Sequence, residues 1–75
     1  MIEEEPFPVR AYRKSELAHL YNPEMPLVSA MRKLRGWIWK NRELHTELYR
    51  AGEGKNDHSY THRQVRLIVQ YLGEP

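Results

Sequence analysis

Apolar residues recur at helical spacing in four separate stretches of the chain, with turn-forming residues between them. Such spacing, three to four residues apart, is typical of amphipathic helices. It predicts helices over residues 14–21, 26–40, 42–51 and 62–72, preceded by an extended arm over 1–12. No stretch alternates apolar and polar residues well enough to predict a strand. The expected fold class is therefore all-α, a small four-helix domain with no sheet.

Proline, asparagine and glycine mark the predicted helix boundaries. Asn22-Pro23 ends the first helix, because the residue before a proline avoids the helical conformation and Asn tolerates the left-handed one. Pro26 suits the first position of the second helix. Asn41 ends that helix and is expected to cap the third, which Gly52 closes as a left-handed C-cap.

The clearest local signal lies at the start of the fourth helix. Thr61 and Gln64 have the spacing of a capping box, in which each side chain bonds the backbone N–H of the other residue. Tyr60 and Val65 have the spacing of a hydrophobic staple around the same cap. With Gly73 as the stop signal, these residues predict a helix whose two ends are well defined.

The second predicted helix has an apolar face and a basic face. On a helical wheel its apolar residues fall within about 60° of Leu34 and are expected to form the core. These residues are Leu27, Ala30, Met31, Trp37 and Ile38. The opposite face carries Ser29, Arg32, Lys33, Gly36 and Lys40, with Arg35 at its edge. Core packing explains the first set, whereas the second set needs another explanation.

The first two helices fit the spacing of a helix-turn-helix motif, with Leu17-Ala18, Asn22, Val28 and Met31 at its apolar-Ala, turn and buried positions. In that motif the outer face of the second helix enters the major groove, where basic and hydroxyl side chains bind phosphates and guanine edges. The sequence thus predicts a small non-catalytic DNA-binding or accessory regulatory protein with duplex DNA as its partner. The predicted nucleic-acid contacts are Ser29, Arg32, Lys33, Arg35, Gly36 and Lys40.

Trp39 supports a different prediction, a protein-interaction or dimerisation module. It lies about 140° from the core direction of the second helix, beside Arg32 and Arg35. An exposed tryptophan there can pack against a protein partner or a second copy of the chain, cover the acidic arm, or stack on a base. We expect the first two roles ahead of the third. Both functions stay open on the sequence.

Positive charge is concentrated in the first half of the chain. Residues 1–8 contain three glutamates and no basic residue, whereas residues 9–42 contain eight lysines and arginines against two glutamates. This asymmetry favours an anionic partner, although an acidic arm folding back on the basic helices explains it equally well. At 75 residues the chain is expected to form one domain, residues 1–75, stabilised by roughly 3–5 kcal/mol.

Other function classes are disfavoured by what the sequence lacks. There is no cysteine, and the four histidines stand in four different segments without metal-ligand spacing. No glycine-rich phosphate loop or facing carboxylate pair is present. We therefore expect no metal, no cofactor, no small-molecule substrate and no enzyme activity. The acidic N-terminus and short apolar runs predict neither a secretion signal nor a membrane span, so the expected location is the cytoplasm.

A wider set of residues links the chain to a known family. The matching residues are Lys14-Ser15-Glu16-Leu17-Ala18, Tyr21, Leu34, Trp37-Ile38, Leu44, Leu48, Gly52, Thr61, Gln64-Val65-Arg66 and Leu72-Gly73-Glu74-Pro75. This pattern resembles that of short proteins of Bacteroides-type gut bacteria that share a domain of unknown function. Arg13 and Met25 depart from it at capping positions, and Glu53 at an aromatic one. The resemblance implies a conserved small domain and no particular activity.

Overall fold

The computed structural model describes residues 7–50, 52 and 57–75, which form a mainly helical domain. In chain order the elements are β1 (Tyr12–Arg13), α1 (Lys14–Tyr21), α2 (Leu27–Lys40), α3 (Arg42–Leu48), β2 (Ser59–Tyr60) and α4 (His62–Leu72). The bounds of α1 and α4 are those predicted, and α2 begins one residue later. Helix α3 ends before the predicted position 51, which itself lies outside the described residues.

The prediction of no sheet is wrong, because β1 and β2 form a two-stranded antiparallel sheet. Tyr12 pairs with Tyr60, and the Lys14 amide next to the ladder donates a 2.8 Å hydrogen bond to the His58 carbonyl. Each strand has two residues, too few for an alternating pattern to be visible in the sequence. The pairing ties the start of α1 to the segment that precedes α4.

Three of the predicted helix-end signals are confirmed. The Thr61–Gln64 capping box is formed with both of its side-chain to backbone bonds. The Asn41 side chain caps α3 by accepting a 3.0 Å hydrogen bond from the Leu44 amide. Gly73 ends α4 with a φ of 86°, a conformation that other residues rarely adopt. These signals act within a few residues of chain, which explains why the sequence reveals them.

Three other helix ends differ from the prediction. Asn22 is not left-handed, since its φ is −134° while its amide still completes a helical bond to the Ala18 carbonyl. Pro26 is the N-cap of α2 rather than its first helical residue. Gly52 has the predicted positive φ of 72°, but it follows a turn, because α3 has already ended at Leu48.

The core lies where the helices meet the small sheet. Its buried hydrophobic residues are Tyr12, Leu17, Ala18, Ala30, Leu34, Ile38, Leu44, Leu48, Tyr60, Val65 and Ile68. Helix α2 contributes the predicted Ala30, Leu34 and Ile38, with Met31 and Trp37 half-buried against them. Leu27 is 49% exposed, contrary to the prediction, because it lies in the first turn of α2 and lines a surface groove at the junction with α1.

Two side chains of α4 bind the last carbonyl groups of α3. The fully buried Gln64 donates a 3.1 Å hydrogen bond to the Leu48 carbonyl, while its own amide oxygen accepts from the Thr61 N–H. The Arg63 guanidinium donates a 2.7 Å hydrogen bond to the Glu47 carbonyl. The last carbonyls of a helix lack partners within it, so these bonds both cap α3 and fix it against α4.

The helix-turn-helix register is reproduced only in part. Leu17 and Ala18 are buried in α1 as that motif requires. Val28, however, is 67% exposed, and Asn22 lacks the left-handed conformation. At 100° per residue Val28 faces about 120° away from Leu34, so it would be buried only if α1 covered the first turn of α2. The exposure of Val28 shows that α1 leaves that side of α2 uncovered, so the Val28 position of the motif is not reproduced.

The described part of the N-terminal arm is held against the core by its aromatic residue. The Phe7 ring stacks on the ring of Tyr12, with 5.4 Å between centroids, and the Tyr12 hydroxyl donates a 2.7 Å hydrogen bond to the Pro8 carbonyl. Phe7 and Val9 are half-buried against the core, so they anchor this part of the arm. The glutamates at 3–5 lie outside the described residues.

Candidate nucleic-acid interface

The predicted nucleic-acid contacts all lie on α2, and the structure divides them between two flanks of that helix. Arg32, Lys33, Arg35, Trp39 and Lys40 are exposed, and Ser29 and Gly36 are partly exposed. Because successive residues turn by 100°, Arg35 and Trp39 face one flank while Lys33 and Lys40 face the other. The predicted residues therefore do not form one uniform basic patch.

The Lys33 flank is built around a half-buried tryptophan. The Lys33 ammonium lies 5.6 Å from the centre of the Trp37 ring, which meets the Tyr21 ring edge to face at 6.1 Å. Lys40 lines a shallow groove beside the same indole. A cation over an aromatic face is attracted by the ring quadrupole, so part of the charge of Lys33 is already engaged within the domain.

Arg35 lies on the opposite flank of α2. It lines an open cleft of about 520 Å³ that is formed together with residues of neighbouring elements. The charged and phenolic groups around it are Arg13, Lys14, Arg35, Tyr49, Asp57 and Tyr60. They come from β1, α1, α2, the end of α3 and the β2 region. The tertiary structure thus adds two cations from outside α2 to the side of that helix where Arg35 lies. This feature is called the Arg35 cleft below.

The charged groups of the Arg35 cleft influence one another. Burial lowers the pKa of Lys14, the Asp57 carboxylate opposes this shift, and Arg35 adds to it. Burial also raises the pKa values of Tyr49 and Tyr60, and Arg35 opposes both of these shifts. Arg35 is therefore within electrostatic reach of one amine and two phenols. Both tyrosines keep their protons at neutral pH and can donate hydrogen bonds.

Trp39 heads a row of aromatic rings next to the cleft. Its side chain is 64% exposed and lies 4.5 Å from the His45 ring, which in turn lies 5.2 Å from the Tyr49 ring. A smaller depression of about 170 Å³ runs along this row and shares Arg35 and Tyr49 with the Arg35 cleft. Cationic and aromatic groups are therefore contiguous on this side of the domain.

Sequence reasoning missed Arg13, Lys14, Tyr49 and Tyr60 as site residues. The basic pair Arg13-Lys14 is visible at the start of the first helix and could have suggested a charged surface there. Its approach to Arg35, however, depends on the pairing of β1 with β2 and on the packing of α1 against α2. Neither contact leaves a signal in a local pattern.

The described part of the chain contains neither a cluster of metal-ligating side chains nor a membrane-spanning helix. Within residues 7–50, 52 and 57–75, no three histidine or acidic side chains lie close enough together to hold a metal ion. In the same part of the chain, every helix is too short or too polar to cross a bilayer.

Fold and surface together define a class of protein: a small helical domain, tied by a two-stranded sheet, with a basic and aromatic flank. The chain belongs to the family described as a domain of unknown function (DUF4248), whose family model matches residues 8–75. This match confirms the resemblance to a domain of unknown function. No curated protein and no solved structure matches the chain.

Proposed function

We propose that the domain binds duplex DNA through the outward side of α2 and the adjoining Arg35 cleft, as a non-catalytic DNA-binding or accessory regulatory protein. The observation that carries this proposal is the position of Arg35. Arg35 lies on the same helix as the exposed Arg32 and lines one cleft with Arg13 of β1 and Lys14 of α1. Basic residues of three elements are therefore close together on this surface. Cations from three elements can contact successive phosphates of a duplex, which bears one negative charge per about 1.7 Å of its axis.

The outermost side of α2 supplies the remaining contacts. Gly36 and Ser29 lie between Arg32 and Lys40 around the helix. No side chain or neighbouring element lies within 4 Å of the point where a Cβ on Gly36 would stand, so its backbone is open to a phosphate. Lys33 and Lys40, on the other flank, are expected to contribute less than Arg32 and Arg35. This binding mode does not need the burial of Val28 that a helix-turn-helix motif requires.

Duplex binding can be tested by fluorescence anisotropy over a series of salt concentrations. We expect affinity to fall steeply with salt, and Arg32→Ala and Arg35→Ala each to weaken binding and reduce the salt slope by about one. Lys33→Ala should have a smaller effect. Arg66→Ala removes the same charge from an exposed position on α4, and it should leave affinity nearly unchanged.

Two results would contradict the proposal. The first is absent or salt-insensitive binding of the purified domain at low salt. The second is equal weakening by Arg66→Ala and Arg35→Ala, because the effect would then depend on net charge alone and not on the named surface. Helical circular dichroism of each variant would show that the fold is intact.

The aromatic row favours a second candidate function, binding of a protein partner or of a second copy of the chain. Trp39 is mostly exposed although its ring is already ordered against His45. Large aromatic side chains of this kind dominate the binding energy of many protein interfaces. Sedimentation over a range of concentrations should then reveal a dimer that Trp39→Ala abolishes. A strict monomer would argue against self-association.

A further inference from the structure

We propose that the Arg35 cleft is a binding site for a single phosphoryl group, held by Lys14, Arg35, Tyr49 and Tyr60. The ligand class is a phosphate monoester dianion, either free or at the end of a nucleic acid. The proposal does not depend on duplex binding. It adds a small anionic ligand to a domain for which the sequence predicts no small-molecule substrate.

The donors in the cleft come from different directions. Lys14 opens α1, Arg35 lies on α2, Tyr49 follows α3, and Tyr60 belongs to β2. The Lys14 ammonium lies 5.3 Å from the centre of the Tyr60 ring. A phosphoryl group directs its oxygens toward several sides, whereas a carboxylate presents two oxygens in one plane. Donors spread around a cleft therefore suit a phosphoryl group better than a carboxylate.

Three of these donors have hydrogen-bonding capacity left over within the described part of the chain. The Tyr49 and Tyr60 hydroxyls make no hydrogen bond to a described residue, although the Tyr60 ring is buried. Arg35 forms no ion pair with a described carboxylate. Polar groups held partly out of water gain from a partner, which applies to the hydroxyls of Tyr49 and Tyr60, and the exposed Arg35 guanidinium adds a positive charge beside them.

The electrostatics of the cleft favour an anion as well. Burial is the main cause of the lowered pKa of Lys14, and the charge of Arg35 adds to it while Asp57 opposes it. A bound dianion would offset the repulsion between the two cations. The planar guanidinium of Arg35 matches two phosphate oxygens, and Lys14 adds a compact charge. The volume of about 520 Å³ is within the usual range for small-molecule sites.

The test is an NMR titration of the ¹⁵N-labelled domain with inorganic phosphate at constant ionic strength. We expect saturable shifts confined to the backbone amides of Lys14, Arg35, Tyr49 and Tyr60 and their neighbours. Acetate over the same range should produce no saturable change. Shifts that never saturate, or acetate binding as strong as phosphate binding, would overturn the proposal.

Variants with opposite expected signs separate binding from misfolding. Arg35→Gln should weaken phosphate binding roughly tenfold, because a charge-assisted contact is lost. Tyr60→Phe keeps the buried ring but removes the hydroxyl, and it should weaken phosphate binding several-fold. Asp57→Asn removes the opposing carboxylate and should tighten binding, an effect that a damaged fold cannot produce. Weaker binding in Asp57→Asn, or an effect of the control Arg66→Gln equal to that of Arg35→Gln, would contradict the assignment.

A competition arm distinguishes the two sources of the phosphoryl group. If a 5′-phosphorylated oligonucleotide displaces phosphate and its 5′-hydroxyl counterpart does not, the ligand is a nucleic-acid end. If neither oligonucleotide displaces phosphate, the ligand is a free monoester. Both outcomes support the site. Arg32→Ala should weaken duplex binding without changing phosphate affinity, so the two proposals can fail separately.

Discussion

At the scale of single residues, Gln64 shows how one polar side chain can organise a small core. The sequence identifies it as part of a capping box with Thr61, and the structure confirms that role. The same amide also reaches the Leu48 carbonyl at the end of α3, in a fully buried position. Because buried amide groups are costly without partners, the side chain specifies how α3 and α4 meet.

Gln64→Ala should lower the free energy of unfolding by about 2 kcal/mol or more, since the hydrogen bonds of its side chain to the Thr61 N–H and the Leu48 carbonyl are lost. Urea unfolding followed by circular dichroism would measure the change. Gln70→Ala makes the same substitution at an exposed position of α4 and should alter stability by less than about 0.5 kcal/mol. Equal effects of the two substitutions would contradict the role assigned to Gln64.

Gly36→Ala should raise stability by about 0.5–1 kcal/mol, because alanine favours the helix and a Cβ at this position meets no atom of a neighbouring element within 4 Å. Gly73→Ala is the matched control, and it should destabilise the domain because the φ of Gly73 is 86°. Thermal unfolding of both variants tests the pair. A loss of stability in Gly36→Ala would contradict the prediction. Weaker duplex binding by the same variant would indicate that a DNA phosphate lies against the backbone of Gly36.

At the scale of elements, α4 and α3 differ in what fixes their ends. Helix α4 begins at a capping box and ends at a glycine, and both signals can be recognised in the local sequence. Helix α3 stops at Leu48, where its last carbonyls are bound by side chains of α4. The Gly52 amide, which could have extended the helix by bonding Leu48, donates instead to the Tyr49 carbonyl at 2.9 Å. The end of α3 is therefore capped by side chains of α4.

Thr61→Ala should lower the free energy of unfolding by about 1 kcal/mol, because the Gln64 amide loses its capping oxygen. Thr46→Ala, at an exposed position of α3, makes the same substitution without a cap and should be neutral or slightly stabilising through helix propensity. Chemical unfolding measures both. A Thr46→Ala loss as large as that of Thr61→Ala would show that the cap is not the cause.

At the scale of the whole molecule, the sheet between β1 and β2 brings Tyr60 and Lys14 together, and the packing of the helices places Tyr49 and Arg35 beside them. Burial raises the pKa of Tyr60 and Tyr49, and it raises that of Tyr21 to about 12, with the Glu74 carboxylate adding to the shift of Tyr21. Because folding raises these pKa values, the free energy of unfolding depends on pH in the alkaline range.

The free energy of unfolding should therefore fall as pH rises above about 10, the ordinary pKa of tyrosine. Above that pH the unfolded chain has lost tyrosine protons that the folded chain still holds, so stability is lost progressively until pH passes the folded pKa, about 12 for Tyr21. Urea unfolding at a series of pH values, with tyrosinate absorbance, measures this. Tyr21→Phe should make the fall shallower, whereas stability that is constant or rising in this range would contradict the prediction.

Features that act over short stretches of chain could be predicted from the amino-acid sequence. Capping residues predict the bounds of α1 and α4 and the caps at Asn41 and Thr61. Apolar periodicity predicts the central core residues of α2. Each of these features depends on residues that are close together in the sequence. The exposure of Trp39 follows from its place on the helical wheel. The same reasoning placed the basic residues on the outside of α2.

Features that join distant residues required the packing of whole elements and could not be predicted from local patterns. The pairing of Tyr12 with Tyr60, the exposure of Val28 and the capping of α3 by α4 all depend on which elements pack together. So does the site, since Arg35 meets Lys14 only once α1 lies beside α2. Local periodicity indicates which face of a helix is apolar. It does not indicate which element packs against that face, or whether any element covers it.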